Sequence, residues 1–380
     1  MAELSLEQVS KVYRPRGRPQ VRAVSSLTMQ VRHGEIVALL GSSGCGKTST
    51  LRMVAGFESV TEGTVRLGAR ALNDLRPAQR NVAMAFEGYS LYPPLRLRDN
   101  IAFALLRDRI PRATVEARVA EIAALLELEP ALQRYPGTIS AGLQQRASLA
   151  RALIRSADLY LLDEPMSQLE PQMRAILRAR IKEWLKDRAM TAVIVTHDQT
   201  DAMALADRIA VMEASELMQY GTPAELRERP ANLFVAGFIG EPPMNLMPAA
   251  AAGSDGGLRI AAGEGALTLQ LPQAAVQAAN GLGSNGTGAG SGISLGINPR
   301  HIRIGSGALA GKVIANQWLG DQTHVALEVG GMPIIAVAEG QVPARPGETV
   351  PFEIAPQGIH LFEAERGRAL FHGSSLGEGP

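Results

Sequence analysis

The run GSSGCGKT at residues 41–48 has the residue types and the spacing of a loop that binds phosphate groups. It follows the apolar run IVALLG and precedes a helical pattern, TSTLRMVAG, which is the context such a loop requires. Its glycines let backbone amides point at phosphate oxygens, and the following helix offers its positive N-terminal end. We expect Lys47 to pair with the β- and γ-phosphates of a nucleotide, and Thr48 to ligate Mg²⁺ through its hydroxyl. The alternative, a Gly-Ser turn without a ligand, rarely carries the full pattern. The predicted nucleotide-binding residues of this run are Gly41, Ser42, Ser43, Gly44, Cys45, Gly46, Lys47, Thr48 and Ser49.

Two carboxylates end a second apolar run, LYLLDEP at residues 159–165. Ligands of open parallel sheets bind at the carboxyl ends of the strands, so Asp163 and Glu164 are candidates for the same site. Asp163 would hold the Mg²⁺ shell, and Glu164 would orient or deprotonate the attacking water. Taken alone, the pair fits a solvated turn equally well, but beside a phosphate loop the catalytic interpretation prevails. A third run, AVIVTH, ends in His197, which at this edge could sense the γ-phosphate, although a lone histidine is usually structural.

These three runs suit strands buried on both faces of a parallel sheet, with helical patterns between them. One helix is predicted to begin at Thr114 and another to run from about Gln172 to Arg188, with Trp184 as a packing residue. From Pro248 to about Gly292 the chain is rich in Ala, Gly and Ser, too poor in large apolar groups to build a core. After this break, THVALEV and RPGETVPFEI alternate like short antiparallel strands of a small barrel or sandwich.

Composition excludes several classes of protein. A chain of 380 residues with 46% hydrophobic residues has room for two or more domains. Its 38 basic residues balance 37 acidic ones without a basic block, so no nucleic-acid partner is expected. The single cysteine cannot form an internal disulfide. No apolar run approaches the roughly 18 residues that span a bilayer, and a cytosolic chain is therefore expected.

The motifs, taken in order, carry a family resemblance. The series GSSGCGKT, AMAFEGYSLYP, ISAGLQQRASLARAL, LYLLDEP, SQLE and His197 resembles the nucleotide-binding subunit of an ATP-binding-cassette transporter. GEPPMNLMP, LGINPRHIRIG and GIHLFEAERGRAL resemble the regulatory oligonucleotide-fold-like domain of importer ATPases for carbohydrates and polyols, the maltose-importer type. The resemblance implies an α/β P-loop ATPase domain over residues 1–235 with a helical subdomain at about 88–155. It implies a C-terminal all-β domain over 236–380, with the Ala/Gly/Ser-rich insertion at about 248–292.

The resemblance also implies partners and further site residues. Such subunits dimerise head to tail around two ATP molecules at the cytoplasmic face of the membrane. They drive two membrane-spanning permease subunits that an extracytoplasmic solute-binding protein feeds. Tyr13 matches the aromatic residue that stacks on adenine, although it could only pack, and the segment from Gly88 to about Leu106 would meet the membrane partner. The signature residues that act on the partner's ATP would be Ser140, Ala141, Gly142 and Leu143.

Three positions depart from the family pattern. The signature LSGGQ reads ISAGL, and losing the polar side chain at Leu143 removes about 0.5–1.5 kcal/mol per hydrogen bond, or two- to tenfold in rate. Leu143 would also face a charged ligand with an apolar group. The loop glutamine reads Glu87, which can still ligate Mg²⁺, so the expected metal set is Thr48, Glu87 and Asp163. SALD reads SQLE, with Glu170 at the dimer seam.

These departures suggest that the chain pairs with a different ATPase chain carrying an intact signature. A homodimer with two slowed sites is a nearly equal alternative, and a non-hydrolysing regulatory subunit is a third. Glu164 argues against the last, because a dead site would most easily lose it. A GTPase or kinase would want a base-reading NKxD segment or a phosphoacceptor site, and neither is found. The transported solute stays open among sugar, polyol and glycerol phosphate.

Overall fold

The computed structural model describes residues 3–14, 16–17, 19–107, 110–252, 257–262, 265–271, 273–280 and 292–377. The chain divides into two compact units, Met1–Pro223 and Ala224–Pro380. Within the described residues, no helix is both long and apolar enough to cross a lipid bilayer.

The first unit is built on a mainly parallel sheet beside a smaller antiparallel one. Its elements are β1 (Leu4–Tyr13), β2 (Val21–Val31), β3 (Ile36–Gly41), α1 (Lys47–Ala55), β4 (Glu62–Leu67), β5 (Arg70–Ala71), β6 (Val82–Ala85), α2 (Leu97–Arg107), α3 (Arg112–Leu125), α4 (Ala141–Leu153), β7 (Leu159–Asp163), α5 (Pro171–Asp187), β8 (Ala192–Thr196), α6 (Gln199–Leu205), β9 (Arg208–Glu213) and β10 (Glu216–Gly221). The strand order is β10-β9-β3-β8-β7-β6 in the larger sheet and β2-β1-β4-β5 in the smaller. In the larger sheet β9, β3, β8, β7 and β6 run parallel, and β10 joins antiparallel at the edge.

The predicted buried strands are confirmed, because every residue of β3, β7 and β8 is buried. Successive side chains point to opposite faces of a strand, so each strand serves two cores. Leu159 and Leu161 pack with α1 and the antiparallel sheet, whereas Tyr160 and Leu162 pack with the helices on the other face. The sheet is therefore covered on both sides, and its carboxyl edge is where polar side chains can emerge.

The helical patterns are also confirmed, with ends shifted by one or two residues. The helix expected from Thr114 is α3, and Val115, Val119 and Ile122 form its buried face. The helix expected from Gln172 to Arg188 is α5, in which Trp184 packs against the same apolar cluster as α3. Together with α2 and α4 these helices cover one face of the parallel sheet.

The second unit is mostly antiparallel β-structure, as expected. After α7 (Pro223–Glu228) and α8 (Leu233–Phe238), its elements are β11 (Asn245–Ala252), β12 (Gly257–Ala262), β13 (Gly265–Gln270), α9 (Gln273–Asn280), β14 (Ile293–Ile297), β15 (Ile302–Trp318), β16 (Gln322–Val329), β17 (Met332–Glu339), β18 (Thr349–Ile354), β19 (Ile359–Glu363) and β20 (Ala369–His372). They form two sheets, ordered β13-β12-β11-β14-β19-β20 and β17-β16-β15-β18. The predicted strands THVALEV and TVPFEI correspond to β16 and β18.

The unit boundary at Pro223 lies ahead of the position near residue 235 where the sequence suggested it. The reason is visible in α8, which lies within the second unit. Ala236 of α8 packs in one apolar cluster with Met244 and Phe362. Because its contacts lie with the β-structure that follows it, α8 belongs to that unit.

The Ala/Gly/Ser-rich span differs from expectation in its first half. It was expected to be too poor in apolar groups to join a core. Instead β11, β12 and β13 pair antiparallel, and Leu269 and Ala275 belong to the buried core of the second unit. Backbone ladders need no large side chains, so a few apolar residues suffice to anchor the hairpin. The glycine-rich part of this span, residues 281–291, lies outside the described residues.

Candidate nucleotide-hydrolysis site

The phosphate loop lies between β3 and α1, and its lysine closes on the loop backbone. Lys47 Nζ donates hydrogen bonds of 2.8 Å to the carbonyl oxygens of Gly41 and Ser42. Gly46, at φ 105°, precedes α1, and a Cβ there would collide with the carbonyl of Ala23. The Lys47 ammonium is therefore buried at the loop and held by two carbonyl oxygens, which it would exchange for phosphate oxygens when an anion binds.

The remaining loop residues divide into buried and exposed ones. Ser43 and Gly44 are exposed at the tip, whereas Cys45 is buried beneath it. Ser42 donates from Oγ to Glu213, which fixes the start of the loop to the end of β9. Burial raises the pKa of the Cys45 thiol, with Lys47 opposing, so the group acts as a packing thiol rather than a thiolate.

Asp163 and Thr48 meet at the end of β7. Thr48 Oγ1 lies 3.2 Å from Asp163 Oδ1, and the Asp163 side chain is only 3% exposed. Burial raises the pKa of Asp163 from its ordinary 3.8 to about 6. The charges of Glu87 and Glu164 add to this rise, and the Thr48 hydrogen bond and Arg52 oppose it. The carboxylate is thus destabilised where a cation would relieve it.

These oxygens fit Mg²⁺ by their chemistry. Mg²⁺ takes hard oxygen ligands and commonly keeps one or two protein groups, with substrate phosphates and water completing its shell. Thr48 and Asp163 provide a hydroxyl and a carboxylate, and Glu87 is an exposed carboxylate whose charge Asp163 senses. Among the described residues no group of three or more His, Cys, Asp or Glu side chains could hold a metal by itself.

Glu164 and His197 are brought together from neighbouring strands. His197 Nδ1 lies 2.9 Å from Glu164 Oε1. The Glu164 side chain is 12% exposed and that of His197 is 65% exposed. The carboxylate is thus sheltered and held by His197 at one oxygen, and a group that orients or deprotonates water must be fixed in this way.

Tyr13 joins the site from β1. Its hydroxyl lies 3.2 Å from Ser49 Oγ in α1, and Lys11 Nζ lies 4.8 Å from its ring centroid. The half-buried ring is therefore beside the first turn after the phosphate loop. Its stacking on a nucleobase stays a prediction.

The residues at the start of α4 turn partly toward their own chain. Ser140 caps the helix, its Oγ accepting a hydrogen bond of 3.4 Å from the Leu143 amide, and Ala141 begins it. A Cβ on Gly142 would lie 3.1 Å from the carbonyl of Gln168. Leu143 is half-buried against the apolar cluster of the helical subdomain. Whether Leu143 also faces a nucleotide held by a partner subunit stays a prediction.

Two further features of the site were not predicted. Gln145, on the buried face of α4, hydrogen-bonds the backbone beyond β7. Arg174 Nε lies 3.0 Å from both carboxylate oxygens of the buried Asp201, and Arg178 lies 3.1 Å from one of them. This network fixes α5 to α6, the helix that directly follows His197. In the sequence, Gln145 could have been noticed as a polar residue on the apolar face of a helix. Arg174 and Arg178 could have been noticed because they are spaced one helical turn apart.

A buried parallel sheet carries a phosphate loop, an acidic pair and a histidine at one edge, and a separate β-unit follows; this is the architecture of a P-loop ATPase with an accessory domain. Residues 24–167 match the family described as ABC transporter, and residues 295–362 match the TOBE domain. The sn-glycerol-3-phosphate import ATP-binding protein UgpC of Cupriavidus pinatubonensis is 38% identical over 374 residues, covering 97% of this chain and 100% of that protein. The xylose/arabinose import ATP-binding protein XacK of Haloferax volcanii is 38% identical over 380 residues, covering 97% and 96%.

A solved structure agrees with this assignment. The dimeric post-hydrolysis state of the ATP-binding cassette MJ0796, bound to ADP and Pi, superposes with a TM-score of 0.54 at 25% identity, covering 58% of this chain and 98% of that one. The chain belongs to the ATP-binding proteins of ABC transporters, enzymes that hydrolyse ATP to power transport, and carries a C-terminal TOBE domain.

Proposed function

We propose that this chain powers the import of a small hydroxylated solute, a sugar, a polyol or a polyol phosphate such as sn-glycerol 3-phosphate. The relatives named for import of glycerol phosphate and of pentoses support the solute class. The observation that carries the catalytic part is the contact of 2.9 Å between His197 and Glu164, directly beyond the Asp163–Thr48 pair. The chain would act at the cytoplasmic face of the membrane, beneath two permease subunits that receive solute from an extracytoplasmic binding protein.

Each residue of this edge has a separate task. Lys47 would leave the carbonyls of Gly41 and Ser42 and bind the β- and γ-phosphates. Bound Mg²⁺ would neutralise charge developing on the phosphates. Thr48 and Asp163 would hold that cation. Glu164 would orient the attacking water and take its proton, while His197 keeps the carboxylate oriented and contacts the γ-phosphate.

A second ATPase subunit would complete each nucleotide site. In that arrangement Ser140 and Gly142 at the start of α4 offer a helix N-terminus to the γ-phosphate bound by the partner. We propose that the partner is a different chain, because Leu143, Glu87 and Glu170 together weaken a composite site. Two copies of this chain with slower sites are the alternative.

The membrane partner would contact the loop before α2 and the exposed face of that helix. Tyr92 and Phe103 are exposed, and their rings contact at a tilt of 42° with centroids 4.6 Å apart. Asn100, fully buried, accepts from the Tyr92 amide at 2.7 Å and donates to its carbonyl at 3.1 Å, so the loop is rigid. Arg151 of α4 donates to the Ser90 carbonyl at 2.6 Å and lies 5.4 Å from the Tyr92 ring. An ordered apolar patch with a buried polar support is what a docking surface needs.

The test is solute uptake by vesicles that contain the full complex, with the Glu164→Gln variant compared with wild type. We expect ATP to remain bound and uptake to fall at least a hundredfold, because the water is no longer activated. Glu183→Gln, which changes an exposed carboxylate on α5, is the matched control and should leave uptake unchanged. Uptake near wild type in Glu164→Gln would mean that this chain does not supply the hydrolysis. Competition between glycerol phosphate and xylose for uptake would separate the two solute classes.

A further inference from the structure

We propose that Gln145 is a positioning residue that links the signature turn at the start of α4 to the catalytic carboxylate of the same chain. The inference rests on the proposed ATPase role of Glu164. It gives α4 a second task, because the helix that would face the partner's nucleotide also shapes this chain's own hydrolytic site.

The Gln145 amide is fully used by the segment that follows β7. Its Nε2 donates hydrogen bonds to the Glu164 carbonyl at 2.8 Å and to Ser167 Oγ at 2.9 Å. Its Oε1 accepts from the Gln168 amide at 2.9 Å. The side chain is 3% exposed, so these bonds meet little competition from water. The Gln145 amide therefore makes hydrogen bonds to three residues of the turn that follows β7.

That turn holds Glu164 in an unfavourable backbone conformation. The φ angle of Glu164 is 47°, in the left-handed region that residues with a Cβ seldom occupy. Its amide donates to the Val195 carbonyl at 2.9 Å, and its carbonyl accepts from Gln145. The peptide groups on both sides of Glu164 are thus fixed, which aims its side chain at His197. Without Gln145 the Glu164 carbonyl loses its shortest hydrogen bond and keeps only those from Ser167, at 3.3 Å from Oγ and 3.4 Å from the amide, so the carboxylate is less firmly aimed.

The other end of the link is the start of α4. Ser140 caps the helix about five residues before Gln145, a distance of roughly 7–8 Å along the axis. Gly142 approaches the Gln168 carbonyl so closely that an added Cβ would lie 3.1 Å from it. A shift of the helix start would therefore move Gln145 and Gln168 together. Occupancy of the signature turn by the partner's nucleotide would then be felt at Glu164.

The experiment is steady-state ATP hydrolysis by the detergent-solubilised complex that contains this chain, comparing Gln145→Ala, Gln145→Glu and wild type. We expect kcat to fall at least tenfold in both variants while KM for ATP changes less than twofold, because Lys47 and Thr48 are untouched. Gln145→Glu matters because it keeps the side-chain shape and the acceptor for the Gln168 amide but loses both donors. It should lose activity, and kcat is measured well below its thermal midpoint, because a buried carboxylate beside the Glu164 carbonyl lowers stability.

Gln144→Ala is the matched control, since Gln144 donates only to the carbonyls of Pro136 and Ile139. It should keep kcat within twofold. Amide hydrogen exchange gives an independent readout, because the Gln168 amide should exchange faster in Gln145→Ala even without nucleotide. Equal kcat in wild type and Gln145→Glu, or a KM that rises in parallel with the loss of kcat, would overturn the proposal. Neither ATP hydrolysis nor amide hydrogen exchange measures solute uptake. A negative result in the import assay would therefore not decide the role of Gln145.

Discussion

His197 Nδ1 lies 2.9 Å from Glu164 Oε1 because β7 and β8 are parallel neighbours that end at the same level. Asp163 lies opposite Val195 in the sheet register, so the residues just beyond each strand emerge side by side. The pairing is therefore a property of the sheet and is in place before any ligand arrives.

Replacing His197 by Ala should lower kcat for ATP hydrolysis by about ten- to a hundredfold with little change in KM. The reason is that Glu164 loses the side chain that orients it. The kcat of His197→Gln should lie between those of wild type and His197→Ala, since the glutamine amide can still donate a hydrogen bond to Glu164. Turnover of the purified chain decides the matter, with the exposed His33→Gln as control. Equal rates in His197→Ala and wild type would leave Glu164 as the only reacting side chain at this edge.

Asp163→Asn should make the nucleotide-free chain more stable while abolishing hydrolysis. The pKa of Asp163 is raised to about 6, chiefly by burial, so the folded chain binds more protons than the unfolded chain between pH 3.8 and 6. The ionised group therefore destabilises the fold above about pH 6. We expect the amide to raise the free energy of unfolding by about 1–2 kcal/mol at pH 7.5, and the gain to vanish near pH 4.

Urea titrations at the two pH values measure this change, and the exposed Asp74→Asn serves as the control. Hydrolysis should fall at least a hundredfold at the same time, since the metal loses its carboxylate. A variant that is less stable than wild type at pH 7.5 would mean that the buried carboxylate is better compensated than its surroundings suggest.

Leu143→Gln should raise ATPase turnover of the isolated chain two- to tenfold if two copies form the composite site, since one polar contact to nucleotide is restored. The half-buried leucine contributes apolar packing, so the same change should lower stability by about 1 kcal/mol. Leu125→Gln removes similar packing from the same cluster at a distance from the turn, and it should lower stability without raising turnover. A Leu143→Gln chain no faster than wild type would indicate that the turn's backbone alone is sufficient.

The second unit should lose stability as the pH falls below about 6.5. Burial lowers the pKa of His360 to about 3, and the neighbouring His372 and His301 act in the same direction. His360 is neutral when folded and becomes charged when unfolded, so the unfolded chain binds more protons between pH 6.5 and 3. Stability is thus fully present above 6.5 and falls by about 1.4 kcal/mol per pH unit below it.

Urea unfolding followed by tryptophan fluorescence can isolate this unit. In a Trp184→Phe background the remaining tryptophan, Trp318, lies in the second unit. His360→Asn should flatten the pH dependence, because an amide can replace Nδ1 in the 3.0 Å contact with His372 Nδ1 without titrating. His33→Gln should leave the dependence unchanged. A slope that persists in His360→Asn would assign the effect to His301 or His372.

The parts of the site that could be predicted are those encoded by short contiguous runs. GSSGCGKT and LYLLDEP each join an apolar strand to its polar end, so sequence alone places Lys47 and Asp163 at one edge. Gln145 could not be found this way, because its partners lie 19 to 23 residues further along the chain. Its role depends on how α4 packs beside β7, which no local pattern specifies.

Composition gave a wrong prediction for the Ala/Gly/Ser-rich span, because backbone pairing between strands does not require large apolar side chains. The Ala/Gly/Ser-rich span was expected to stay outside a core, yet β12 and β13 pair along their whole length and Leu269 is buried. Leu143 also packs against the apolar cluster of the helical subdomain, a contact that its sequence context alone did not predict.

The two outer contacts of α4 also limit how this chain can evolve. Arg151 supports the Ser90–Tyr92 loop and Gln145 supports Glu164, and both are carried by one rigid helix of 13 residues. A substitution that reshapes the helix would disturb the support of Glu164 and that of the Ser90–Tyr92 loop, the proposed permease contact, together. Ala141 and Leu143, at the helix start, can change without breaking either contact. Substitutions are therefore best tolerated at the turn, where they change the rate of ATP hydrolysis and leave the Arg151 and Gln145 contacts intact.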